Sequence, residues 1–269
     1  MLNDRAALCE AIRNIALEAG KITLKYFNNR KDAGITAKGD GSPVTLADQE
    51  AEKLINERLL NLLPHVPIIG EEAVSESAAP DLKDREDYFW LVDPLDGTKE
   101  FIGGGGDYTV NIALIHNRKP VLGVVYAPAK GELYAGYDDK ALFWDEKTGE
   151  ERPVRVRQNP PEGLSVVASK SHGDEGKLGT FLKNYKVNEL IKCGSSLKIC
   201  VIAAGQADLY PRFGPTCEWD TAAGDAVLRA AGGFMSDEHG GEMIYGGRNE
   251  KWLNPEFIAS AFDWRAHNV

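Results

Sequence analysis

No stretch of the sequence approaches the roughly 20 consecutive apolar residues that a membrane-spanning helix needs, so no transmembrane segment is expected. Met1-Leu2-Asn3-Asp4-Arg5 lacks a basic region followed by an apolar block, which argues against export. Cysteine is scarce: Cys9, Cys193, Cys200 and Cys217 are the four present, and no pair has the C-x-x-C spacing of a zinc or redox motif. They read as reduced thiols in a cytosolic protein. Positive charge is also short. Against 41 Asp and Glu stand 31 Lys and Arg, a formal net charge of −10, which excludes sequence-independent binding of nucleic-acid polymers. A small anion stays within reach, because a few local cations or metal ions reverse the field in one cleft. Internal repeats and low-complexity tracts are absent.

What is present fits one large domain or two closely packed α/β subdomains. The 269 residues are 43% hydrophobic, and 28 Gly with 13 Pro indicate many tight turns. Residues 4–27 predict an amphipathic helix, with Leu8, Ile12, Ile15, Ala19, Ile22 and Tyr26 at spacings of four and three. A loop over 39–43 leads to Thr45, an N-cap with Asp48 in the place of a capping-box acid, and the helix should stop before Pro64. Val66–Ile69 and Tyr88–Val92 are expected as buried strands, and 73–87 as a polar surface loop. Tyr108–His116, Pro120–Tyr126, Glu132–Tyr137 and Ala141–Trp144 predict a strand meander.

The charged, Pro-rich stretch 145–163 marks a boundary between an N-terminal α+β half, 1–150, and a C-terminal α/β half, 151–269. The second half alternates: strand 164–169, helix 174–182, strand 189–193, helix 195–204, strand 208–210 and helix 219–231. That alternation points to an α/β fold of layered sheets and helices.

The most informative segment is Asp93-Pro94-Leu95-Asp96-Gly97-Thr98. An apolar strand runs into two acids; Pro94 fixes one φ angle and Gly97 permits a sharp turn. The Leu95 carbonyl between them adds a further oxygen, and hard cations favour such ligands. Gly97 and Thr98 should open a short helix whose free N–H groups suit a phosphate oxygen. Glu71 also follows an apolar strand, and Asp220 opens a predicted helix. Each acid alone also reads as a cap or a solvated surface group.

In this order along the chain, Pro43–Asp48, Gly70–Glu72, Trp90–Thr98 and Glu218–Gly224 with Ala231–Gly233 resemble the inositol-monophosphatase superfamily of lithium-sensitive, magnesium-dependent phosphatases. Within it, Asp93–Phe101 and Gly214–Asp220 are most similar to the 3′(2′),5′-bisphosphate nucleotidases. The resemblance implies a five-layer αβαβα sandwich of the inositol monophosphatase and fructose-1,6-bisphosphatase type. It also implies hydrolysis of adenosine 3′(2′),5′-bisphosphate to AMP and phosphate, a reaction of sulfur metabolism.

Carried over by residue, the metal ligands are Glu71, Asp93, the Leu95 carbonyl, Asp96 and Asp220, holding two or three Mg²⁺ per active site. Most of them lie in the first half; Asp220 and the substrate groups lie in the second. Glu71 and Thr98 serve the attacking water, with Asp48 taking the Thr98 proton. Glu71, Leu95, Asp96, Gly97, Thr98 and Asp220 border the substrate. For the second phosphate and the nucleoside the candidates are Ser169, His172, Ser195, Ser196, Lys198 and Arg212. Other readings stay open: Ser195 as an N-cap, Lys198 as a solvated helix face, His172 as an ordinary loop residue, Asp48 as only a cap. The run Gly103–Gly106 is richer in glycine than that branch leads one to expect, which suggests a mobile loop.

The expected partner is a small nucleotide bisphosphate in the cytoplasm. A homodimer and peripheral attachment to the cytoplasmic face of the inner membrane stay open. Three rivals remain: an inositol phosphate or sugar bisphosphate substrate in the same superfamily, an aspartyl-phosphate phosphatase with D-x-D spacing, and a non-catalytic nucleotide- or metal-binding protein.

Overall fold

A computed structural model describes residues 2–37, 43–76, 82, 87–158, 160–169, 175–247, 249 and 251–267. Helix α1 (Arg5–Asn28) starts where the Asp4 carboxylate accepts the Ala7 N–H at 3.0 Å, and it buries Leu8, Ile12, Ile15, Ala19 and Tyr26. Short strands β1 (Thr36–Ala37) and β2 (Pro43–Val44) pair antiparallel and lead to α2 (Leu46–Leu62). The expected capping box is present: Asp48 Oδ2 accepts the Thr45 N–H at 2.8 Å, and the helix ends before Pro64.

Seven strands follow: β3 (Ile68–Gly70), β4 (Phe89–Asp96), β5 (Thr109–His116), β6 (Lys119–Ala127), β7 (Glu132–Tyr137), β8 (Lys140–Asp145) and β9 (Glu151–Pro153). They lie side by side in sequence order in one sheet, with β3 parallel to β4 and the rest antiparallel. Helices α3 (Glu71–Glu76) and α4 (Thr98–Ile102) sit between β3 and β4 and between β4 and β5.

The second sheet has the order β11-β10-β12-β14-β13, from β10 (Leu164–Ser169), β11 (Val187–Cys193), β12 (Leu209–Arg212), β13 (Phe234–Asp237) and β14 (Phe257–Ser260). Between and around these strands run α5 (Glu175–Leu182), α6 (Leu197–Ala203) and α7 (Glu218–Ala230).

Side-chain alternation sets the layers. Along β4, Trp90 and Val92 join Leu8, Ile12, Ile55 and Leu59 of α1 and α2 in one core. Phe89 and Leu91 join Ala222, Ala223 and Val227 of α7 in another, which also takes Val166, Leu209 and Ile258 of the second sheet. The large sheet is thus buried on both faces. With α6 and α7 between the sheets and α5 as the crossover of the parallel pair β10 and β11, the fold is a five-layer α/β sandwich.

Three findings depart from the sequence reading. Residues 73–76, expected in a surface loop, belong to α3, because the buried Glu52 carboxylate accepts the N–H groups of Glu72 and Ala73, both at 2.9 Å. The glycine run after α4 closes that helix rather than loosening it: Gly105 N–H reaches the Glu100 carbonyl at 2.7 Å and Gly104 N–H the Phe101 carbonyl at 3.1 Å. This is a Schellman closure with Gly104 at φ +78°. Finally, β13 and β14 went unanticipated, being four-residue strands with no pattern long enough to read.

Helix α7 seats on the large sheet through two paired glycines, Gly123 of β6 and Gly136 of β7. A Cβ on Gly123 would stand 2.4 Å from the Ala223 carbonyl oxygen, and one on Gly136 2.5 Å from the Val227 Cα. The obstructing atoms are backbone and cannot turn aside. Gly123→Val is therefore expected to cost about 1–3 kcal/mol by overpacking, read as a lower urea midpoint. Gly179→Ala, on an exposed face of α5 with nothing within 4 Å, should be neutral or slightly stabilising.

Candidate active site

Strand β4 positions the two acids at its end by a local irregularity. A regular strand sends residues an odd number apart to opposite faces, so Asp93 and Asp96 would diverge. Here Asp93 pairs with Asn111 and Asp96 with Thr109, three steps on β4 against two on β5. The extra residue is a bulge at Pro94-Leu95, where proline has no N–H to give to the ladder. It returns Asp96 to the face of Asp93, the face that looks toward α7.

Asp220 arrives at that face from the first turn of α7, where its Oδ2 accepts the Cys217 N–H at 2.9 Å. Carboxylate oxygens of Asp93, Asp96 and Asp220 all lie within 4.8 Å of one another. Glu71 opens α3 beside them and lines the same cavity. Glu52, by capping α3, fixes where Glu71 begins, and its carboxylate leaves no room for a side chain at Gly70.

This gathering is electrostatically costly. Burial, then the charges of Glu71, Asp96 and Asp220, hold the Asp93 carboxyl well above the usual carboxylate range, against the Leu95 N–H that donates to it at 2.9 Å. Asp220 is pushed up in the same way by burial and then by Asp96 and Glu71. A bound cation removes that repulsion. The donor set is all oxygen, without sulfur or imidazole, which suits a hard cation.

The cavity measures about 310 Å³ and contains Leu95, Asp96, Gly97 and Thr98, together with Ser169, Ser195, Ser196, Lys198, Arg212 and Asp220. The Leu95 side chain is fully buried, in a small core with Phe101 and Tyr108, while its carbonyl accepts the Thr98 hydroxyl at 3.4 Å. Gly97, at φ +91°, makes the turn into α4.

Lys198 is only 9% exposed, so it is not a solvated helix face. Its ammonium lies 5.6 Å from the centre of the Tyr210 ring, and burial lowers its pKa, with the Arg212 charge adding to the fall and Asp96 opposing it. Arg212 is equally buried and donates to the Pro215 carbonyl at 3.1 Å. Two cations buried near each other in a cavity are an anion site in the making.

Other expected residues are placed differently. Asp48 is buried at the start of α2, its Oδ2 taken up by the Thr45 N–H at 2.8 Å and hydroxyl at 2.6 Å, and it does not line the cavity. Ser195 and Ser196 line the cavity, but both hydroxyls point at Asp96 Oδ2, at 2.7 and 2.8 Å, so neither acts as a helix cap. His172 lies outside the described residues. Sequence reasoning missed Tyr210 and Phe257, whose rings meet edge-on at 5.7 Å in the cavity wall. It also missed Thr109 and Asn111 behind the wall; their signal was present as polar residues interrupting an apolar strand. The four cysteines are free, and burial pushes the Cys9 thiol up to about 12.

Comparison with known proteins agrees with this architecture. The inositol monophosphatase family profile matches residues 4–268. The 3′(2′),5′-bisphosphate nucleotidase CysQ of Escherichia coli (strain K12) is 43% identical over 255 residues, 95% of this chain and 98% of that protein. Among solved structures, CysQ from Bacteroides thetaiotaomicron superposes with a TM-score of 0.76 at 36% identity, covering 94% of this chain and 97% of that one. The extragenic suppressor protein suhB from Bartonella henselae gives 0.78 at 27% identity, covering 97% and 96%. This chain belongs to the inositol monophosphatase family.

Proposed function

We propose that this chain hydrolyses adenosine 3′(2′),5′-bisphosphate to AMP and phosphate with Mg²⁺. The observation that carries the reading is one cavity that holds both an oxygen-rich acid cluster and two buried cations, Lys198 and Arg212. A substrate with two phosphates uses both features. The relatives named as bisphosphate nucleotidases support the same substrate.

Glu71, Asp93, the Leu95 carbonyl, Asp96 and Asp220 hold the metal in this reading. Magnesium bound there supplies positive charge to the phosphate oxygens and makes a bound water more acidic. Glu71 and Thr98 orient the water, and the carboxylate assigned to take the proton of the Thr98 hydroxyl is Asp48, although its Oδ2 accepts from Thr45 and it lies outside the cavity lining. Lys198 and Arg212 hold the phosphate that is not cleaved, and Tyr210 and Phe257 give the nucleoside an aromatic wall. Lithium inhibition and a place in sulfur metabolism belong to this reading. So does a cytoplasmic location, which the four free thiols support; among the described residues, no helix is long and apolar enough to cross a membrane.

The rival is inositol monophosphate chemistry, for which a second anion site has no use. Phosphate release from adenosine 3′,5′-bisphosphate and from inositol 1-phosphate, with magnesium and with or without lithium, decides between them. A large preference for the inositol ester overturns the proposal. Replacing Lys198 or Arg212 by Met should raise KM for the bisphosphate roughly 10- to 100-fold, the loss of one charge-assisted hydrogen bond. Asp48→Asn should lower kcat by about 10²–10⁴ with metal affinity little changed; equal losses in both place Asp48 in the metal shell instead.

The carboxyl shifts give a stability prediction. A carboxyl whose folded pKa lies above its unfolded value, near 3.8 for Asp93, opposes folding as pH rises past that value, and fully so above the folded one. At neutral pH, Asp93→Asn should therefore raise the Tm of the metal-free protein by a few degrees, the scale of about 1 kcal/mol in a chain of this size. It should also remove the rise in Tm that magnesium gives the wild type. Calorimetry with and without magnesium reads both effects.

A further inference from the structure

Thr109 and Asn111 are fully buried polar residues in β5, and neither borders the cavity. Alternation puts both on the α7-facing side, directly across from the acids of β4: Asn111 pairs with Asp93, and Thr109 with Asp96. Their side chains do not reach those acids; they reach the two serines ahead of α6. Asn111 Nδ2 donates to Ser196 Oγ at 2.9 Å, and Thr109 Oγ1 lies 2.5 Å from Ser195 Oγ. Both serine hydroxyls then meet a single atom, Asp96 Oδ2.

Donor arithmetic gives the direction of each chain. An ionised carboxylate only accepts, so Ser195 and Ser196 donate to it. Ser195 has one proton, already committed to Asp96, so Thr109 must donate to Ser195. The order is Thr109 to Ser195 to Asp96 on one side; on the other Asn111 donates to Ser196, whose single proton is shared between Asp96 Oδ2 and the Asp220 carbonyl oxygen. Ser196 Oγ also lies 2.6 Å from the Asp220 carbonyl oxygen, which ties the start of α6 to α7. The backbone adds its own constraint. Ser195 adopts φ +53°, and Gly194 N–H donates to Asp107 Oδ2 at 3.0 Å, where a side chain on Gly194 would strike the Asp107 Cβ at 2.7 Å. The serines are held from two sides.

We propose that the pairs Thr109–Ser195 and Asn111–Ser196 position Asp96 for metal binding. The inference rests on Asp96 being a metal ligand. Oδ2 is occupied by two hydroxyls, while Oδ1 makes no hydrogen bond among the described residues. A carboxylate pinned through one oxygen has its orientation fixed, so metal binding no longer has to order it. Partners of this kind behind a ligand are worth about 10- to 100-fold in metal affinity.

The test is calorimetric titration of Mn²⁺ into metal-free, substrate-free protein. Ser196→Ala and Asn111→Ala should each weaken binding about 10- to 100-fold, and Ser196→Thr, which keeps the hydroxyl, should restore most of it. At saturating metal, KM for adenosine 3′,5′-bisphosphate should stay within about threefold of wild type in Ser196→Ala, far below the change of a lost substrate contact. Unchanged Mn²⁺ affinity with a raised KM overturns the proposal and makes the serines substrate contacts. Asp96→Asn separates the two levels. If it binds Mn²⁺ as tightly as wild type, the metal-site reading falls and the positioning role with it. If it loses Mn²⁺ while Ser196→Ala and Asn111→Ala keep it, the positioning role alone falls. Should Asn111→Ala not fold, Ser196→Ala at the cavity edge still decides the matter.

Discussion

Repulsion among carboxylates is the constraint around which this protein is built. Asp93, Asp96, Asp220 and Glu71 come from three separate stretches of chain, and the metal-free charges push them apart. Each is held by something that does not yield easily. Asp93 accepts a backbone N–H two residues on, Asp220 belongs to a helix cap, Glu71 starts a helix whose first N–H groups are taken by Glu52, and Asp96 is held by two serines. Hydrogen bonds to ionised groups are among the stronger ones available to a protein. They keep the four carboxylates in place without an ion, the preorganisation that a site stabilising developing charge needs.

The positive side of the cavity follows the same rule with the sign reversed. Lys198 and Arg212 are nearly as inaccessible as core residues, and their charges lie within reach of each other and of the acids. Charges of both signs with little water around them interact strongly. A ligand with two phosphates can place one on the cations and the other on a metal ion that the acids would hold, whereas a neutral ligand uses neither pole. Substrate class is thus written into the placement of charge more than into the shape of the wall.

Much of this was legible in the sequence where the determining contacts are local. The capping box at Thr45 and Asp48, the stop before Pro64, the apolar run into Asp93 and the turn at Gly97 are each decided within a few residues. The acids themselves were legible as a set. Their convergence was not, because D-x-x-D spacing on a straight strand sends the two carboxylates to opposite faces, and only the bulge at Pro94-Leu95 brings them together. The roles of Ser195 and Ser196 were hidden for another reason: their partners Thr109 and Asn111 lie 86 and 85 residues away. A serine ahead of a helix reads locally as a cap, and nothing nearby says that its proton is committed elsewhere. Lys198 was legible as a substrate candidate, but a solvated helix face stayed open beside it because local periodicity says nothing about the burial it finds in the fold.

The seat of α7 on Gly123 and Gly136 has a consequence for the cluster. Asp220 sits at the end of a helix whose depth is set by main chain resting on main chain. Such a contact has no rotamers and therefore no play. The sheet that carries Asp93 and Asp96 and the helix that carries Asp220 behave as two halves of a rigid vice, its jaw width fixed by the missing side chains of two glycines in neighbouring strands.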